Sequence, residues 1–242
     1  DMTGDRTVAA IDCGTNSIRL LIASAGPDGH LVEQARDLEL VRLGQGGDTT
    51  GAFHPDALER TFTACRTFAR AITEHHCDDV RFVATSAARD VSNRDEFFAG
   101  VRKALGVDAE VIAGSEEAGL SFAGAMSGIE VSEEPVLVID CGGGSTELVL
   151  GRETKIDSQV SLNIGSVRLR ERFLHDDPPT AEQIDEARTY VREMLTECPV
   201  DMATAHTVVG VAGTVTSLSA INQGLTEYDR AKVHRSVLTA DQ

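Results

Sequence analysis

The sequence predicts an α/β protein made of two similar lobes. Apolar strands alternate with amphipathic helices, the alternation restarts near residue 136, and a short motif recurs in register across the restart. Val8–Ile11 reads as a strand running into the polar turn from Asp12 to Asn16, and strand composition resumes from Ile18 to Ser24. A third strand falls within Leu31–Leu43. After the glycine-containing loop 44–51, Pro55 sits where a helix begins, and Leu58, Phe62, Cys65, Ala69 and Ile72 mark one apolar stripe. Val80–Ala84 is a strand, Arg94–Leu105 a helix, Ala109–Ile112 a short strand, and Ser115 opens a helix to about Met126.

An acidic, Pro-containing link from Glu130 to Pro135 separates this from a second run: strands at Val136–Asp140, Glu147–Leu150 and Gln159–Ile164. A helix follows, opened by the capping-box pair Thr180 and Gln183. The lobes are therefore 1–130 and 131–242. Ile11-Asp12-Cys13-Gly14-Thr15-Asn16-Ser17-Ile18-Arg19-Leu20 lines up with Ile139-Asp140-Cys141-Gly142-Gly143-Gly144-Ser145-Thr146-Glu147-Leu148. A repeat this widely spaced indicates paired domains with a ligand cleft between them rather than a solenoid. Past Asn222 the second lobe shows no evident last strand and helix, so it reads as incomplete there.

Composition narrows the function classes. Lys and Arg number 22 against 39 Asp and Glu, a net charge of −17, which is the reverse of a diffuse nucleic-acid-binding surface. No apolar run approaches the length of a membrane span, and the polar start Asp1–Arg6 has no signal-like core, so a soluble protein with no membrane partner is expected. Five cysteines without metal spacing suit a reducing cytoplasm.

A strand that ends in Asp and turns through glycine aims several backbone N–H groups into a small nest suited to phosphate oxygens. Gly14-Thr15-Asn16-Ser17 is one such turn, although alone it reads equally well as an ordinary hairpin. Gly142-Gly143-Gly144-Ser145-Thr146 is the other, and consecutive glycines are entropically costly without a ligand. Asp140 and Glu147 bracket that loop as oxygen ligands for a hard cation such as Mg²⁺, or else as a turn cap and a solvent-facing strand residue. Asp12 holds the equivalent place in the first lobe. A third turn ends in Gly213-Thr214, and Arg168 lies near a helix start; each has a plain structural reading as well.

These residues carry a resemblance. Ile11–Arg19, Ala84–Asp90, Gly114-Ser115-Glu116-Glu117-Ala118, Ile139–Glu147 and Asn163–Arg168 are similar, in order and spacing, to the exopolyphosphatase and guanosine pentaphosphate phosphatase family. That family belongs to the superfamily of sugar kinases, chaperone ATPases and actin. The resemblance implies two ribonuclease-H-like domains in a short form without the additional C-terminal helical domains of longer relatives. It maps the catalytic base onto Glu116, with Glu117 read as a helix-dipole partner, and a phosphate-gripping arginine onto Arg89. It implies Mg²⁺-assisted attack of water on the terminal phosphate of inorganic polyphosphate, with guanosine pentaphosphate as the alternative substrate. From another class, an ATP-binding actin-like or chaperone-like interaction module shares the fold. A homodimer follows by analogy.

Overall fold

The computed structural model describes residues 6–131 and 133–242. The first compact unit ends at Ala113. It contains β1 (Thr7–Cys13), β2 (Ser17–Ala25), β3 (Leu31–Leu40), α1 (Gly47–Thr50), α2 (Pro55–Glu74), β4 (Asp79–Ala84), α3 (Ser86–Arg89), α4 (Arg94–Leu105) and β5 (Ala109–Val111). Its sheet runs β3-β2-β1-β4-β5, with β1 antiparallel to β2 and parallel to β4.

The second unit begins at Gly114. It contains α5 (Gly114–Gly128), β6 (Val136–Cys141), β7 (Thr146–Arg152), β8 (Lys155–Leu162), α6 (Ser166–Arg172), α7 (Ala181–Thr196), a 3₁₀ turn at Met202–Thr204, β9 (Thr207–Val211), α8 (Ala212–Asn222) and α9 (Arg230–Val233). Its sheet runs β8-β7-β6-β9, repeating the first four strands of the other sheet in the same pairing senses.

The division at Ala113/Gly114 differs from the expected 130/131, and the reason is packing. Ala118 and Phe122 of α5 are buried with Val136, Val138, Val149 and Val209 of the second sheet. The Glu130–Pro135 link is thus the connection from α5 into β6 rather than a domain boundary.

Local chemistry explains the helix starts. Pro55 sits at the first position of α2, and the His54 ring accepts the Asp56 amide at 3.1 Å. Thr180 and Gln183 exchange both capping-box hydrogen bonds, at 3.1 and 3.2 Å, to open α7. The α2 stripe is wider than its periodicity indicated, since Ala57, Thr61, Ala64 and Phe68 are buried alongside Leu58 and Cys65.

The two sheets are covered differently. In the first, Ile11, Cys13, Ile18, Leu20 and Phe82 pack with Phe68 of α2 and Phe97 and Val101 of α4, while Ala10 and Asp12 on the opposite face are exposed. In the second, α5 covers one face and a separate core of Leu137, Leu148, Leu150 and Leu162 packs on the other, against Val191 and Met194 of α7. Strand alternation sends valines to α5 and leucines to α7.

Candidate active site

Alternation also sets the site. On β6, Val136 and Val138 face α5, so Asp140 continues that face; on β7, Val149 faces α5, so Glu147 does too. Asp140 and Glu147 are direct cross-strand partners, Ser161 is the partner of Glu147 on β8, and Val211 is the partner of Asp140 on β9. The apolar face under α5 therefore ends in one polar rung. Glu147 is only 1% exposed, and the Ser161 hydroxyl donates to its Oε1 at 2.6 Å. The Ser121 hydroxyl, from α5, donates to Asp140 Oδ2.

The glycine loop joins the two acidic strands. Gly142 N–H donates to Ser145 C=O at 3.0 Å, closing the turn as Gly14 N–H closes the first with Ser17 C=O at 2.9 Å. Its carbonyls are taken by the start of α6: Ser166 N–H donates to Gly142, Val167 and Arg168 N–H to Gly143, and Arg168 Nε to Gly144 at 2.8 Å. Among the described residues, the N–H groups of Gly143, Gly144 and Ser145 have no assigned partner. With its carbonyls fixed on one side, the loop can offer amides to an anion. The Thr146 hydroxyl is spent on Ile164 C=O at 2.8 Å and Ser145 is buried, so only their backbone is suited to substrate.

Sequence reasoning missed Gly165. A Cβ there would lie 2.3 Å from Gly143 C and O and 2.5 Å from Gly144 N, so only glycine allows α6 to approach the loop. The first unit uses the same device: Val41 and Arg42 N–H donate to Asn16 C=O, and Gly44 N–H to Thr15 C=O at 2.9 Å. In both units the segment after the third strand braces the turn between the first two. Arg168, expected to contact substrate, is part of this brace.

On α5, helical geometry separates the two expected carboxylates. At about 100° per residue, Glu117 lies about 40° from Ser121, whereas Glu116 lies about 140° from it. Glu117 therefore shares the edge of α5 that reaches Asp140, and Glu116 is exposed on the side away from the buried Ala118.

Arg89 ends α3 half-buried, its Nε donating to Ile112 C=O at 3.0 Å, which fixes the guanidinium plane. Gly213 is exposed and a Cβ would meet nothing within 4 Å. The constrained residues of that turn are Gly210, where a Cβ would lie 2.5 Å from the Val215 side chain, and Ala212, at φ 74°. Burial first, then Cys65 and Asp12 nearby, push the Cys13 thiol well above its ordinary range, so it offers no thiolate nucleophile.

No three His, Cys, Asp or Glu residues converge among the described residues. The donor set still suits Mg²⁺, which binds through one or two carboxylates and completes its octahedron with water and phosphate oxygens. No helix of the described residues is long and apolar enough to cross a membrane.

The pattern of the Ppx/GppA phosphatase family matches residues 22–242. The chain belongs to that family. Exopolyphosphatase 2 of Mycobacterium tuberculosis is 52% identical over 239 residues, which cover 95% of this chain and 75% of that protein. The bifunctional 3-dehydroquinate synthase/phosphatase of Fusobacterium nucleatum is 34% identical over 97% of this chain and 37% of its own length. Among solved structures, an exopolyphosphatase from Cytophaga hutchinsonii superposes with a TM-score of 0.84 at 29% identity, over 94% of this chain and 74% of that one. The Ppx/GppA family member of Aquifex aeolicus superposes at 0.76 with 35% identity, over 98% and 76%. The family's two-sheet α/β architecture is the one expected from the sequence, and membership makes the chain an enzyme of the phosphatase class.

Proposed function

We propose that this chain hydrolyses the terminal phosphoanhydride of inorganic polyphosphate, with the terminal phosphate at the Gly142–Thr146 loop and Mg²⁺ on Asp140 and Glu147. The observation that carries this reading is the pairing of two carboxylates on one rung beside a loop whose amides have no assigned partner. Like charges placed directly opposite are destabilising, and a cation between them turns that cost into binding. Bound there, Mg²⁺ would neutralise charge on the reacting phosphoryl group.

The remaining work falls to the chain's own groups. The amides of Gly143, Gly144 and Ser145 orient phosphate oxygens and meet the charge that grows on them. Glu117 accepts a proton from the attacking water; we assign this role to Glu117 in place of Glu116 because of the helix edge it shares with Ser121. Asp12 stands opposite Arg19, a cationic neighbour that makes it a poorer metal ligand than Asp140.

Polyphosphate is favoured over guanosine pentaphosphate by the scarcity of aromatics to stack a base, with no Trp and two Tyr, and by the similarity to exopolyphosphatase 2. Five free cysteines support a cytoplasmic setting. The test is orthophosphate release from polyphosphate, guanosine pentaphosphate and ATP, each with Mg²⁺ and with chelator. Polyphosphate is expected to be cleaved fastest and only with the metal. Preference for guanosine pentaphosphate would change the substrate, and full activity in chelator would remove the metal.

A further inference from the structure

We propose that Ser121 and Ser161 are positioning residues, each holding one carboxylate of the acidic rung in the orientation that receives a divalent cation. The inference rests on the metal reading above and extends it to residues that touch neither metal nor substrate. The Ser121 hydroxyl, on the α5 edge shared with Glu117, donates to Asp140 Oδ2. Ser161 donates to Glu147 Oε1 at 2.6 Å from the adjacent position on β8.

The terminal torsions of Asp and Glu are broad, so the side chain alone does not select a carboxylate plane, and an external donor must do it. A hydroxyl is suited to this because it brings no charge. A Lys or Arg in either place would neutralise the carboxylate and compete with the incoming cation. Each serine engages one oxygen, and a carboxylate has about four lone-pair sites, so coordination and support are compatible. Partners of this kind behind metal ligands typically set affinity by about 10- to 100-fold.

The test is Mn²⁺ binding to the full chain without substrate, followed by the electron paramagnetic resonance signal of the free ion. The variants are Ser121→Ala, Ser161→Ala, Ser121→Thr and Ser161→Thr, with Glu147→Gln as reference. Each alanine variant is expected to weaken Mn²⁺ binding about 10-fold, and each threonine variant, which restores the hydroxyl, to recover it. Wild-type affinity in both alanine variants, with binding lost in Glu147→Gln, would overturn the proposal and leave the metal site standing. Weakened binding that threonine does not recover would assign the effect to packing and overturn it too. Wild-type affinity in Glu147→Gln would remove the metal reading, and the serine proposal with it.

Discussion

Asp12 and Asp140 are the penultimate residues of equivalent strands in equivalent hairpins, yet Asp12 stands opposite Arg19 and Asp140 opposite Glu147. The backbone device is the same in both units: a strand ending Asp-Cys, a turn closed from glycine to serine, and a bracing segment after the third strand. Coverage differs. The Asp12 face is exposed in the first unit, whereas α5 lies over the Asp140 face and buries Glu147. One change of charge sign and one covering helix replace an acid–base rung with a rung of two facing carboxylates, the one we propose as the cation site. The repeat thus supplies the frame, and Glu147, the residue that breaks it, supplies the second carboxylate.

The largest expected effect comes from α5, the helix packed on the Asp140 face of the second sheet. Glu117→Gln should lower the rate of phosphate release by about 10²-fold or more with little change in substrate affinity, and Glu116→Gln should lower it far less. Steady-state kinetics of the two variants decide between them, and the reverse order would return the role to Glu116.

The braces can be compared directly. Gly165→Ala drives a Cβ into loop backbone, which has little room to yield, whereas Gly44→Ala meets chiefly the Thr15 side-chain methyl, 2.3 Å away, which can rotate. Gly165→Ala is expected to cost about 3 kcal/mol and Gly44→Ala about 1 kcal/mol in denaturant melts. Equal costs would contradict the backbone-against-side-chain distinction.

A smaller effect separates the ends of β4 and β9. Thr85, after β4, has φ −114°, whereas Ala212, after β9, is held at φ 74°. Ala212→Gly should therefore raise stability by roughly 0.5–1 kcal/mol, read as a shift in the denaturant midpoint.

The smallest effect concerns the cysteines that follow the two aspartates. Cys13 is buried and Cys141 partly exposed, so a thiol reagent should label Cys141 well before Cys13. Burial pushes the neighbouring Cys65 from 9.0 up to about 12. A thiol raised in the folded state contributes stability fully below pH 9, and that contribution is lost as pH climbs toward 12. Cys65→Ala should flatten that alkaline slope in melts between pH 8 and pH 11.

Much of this was legible because it is local or periodic: the strand–turn–strand repeat, the α7 capping box and both glycine loops depend on neighbours in sequence. The allegiance of α5 was not, because a stripe of Ala118 and Phe122 identifies an apolar face without saying which sheet it meets. The same stripe, read for phase, would have placed Glu117 and Ser121 on one edge and Glu116 off it. Gly165 and Gly44 looked like ordinary loop glycines, since their need arises from chain segments brought together only in the fold. Arg168 was singled out for substrate contact, and its hydrogen bond to Gly144 C=O was not legible, because nothing in sequence shows a guanidinium turned back onto the loop.

The acidic rung is tested most directly by melting the wild type and Glu147→Gln with and without Mg²⁺. The variant, relieved of facing carboxylates, should be at least as stable as the wild type in chelator. The wild type should gain about 2.7 kcal/mol when the metal is at about 100 times its Kd, and the variant almost nothing. A variant that is less stable in chelator yet gains as much from Mg²⁺ as the wild type would contradict the account.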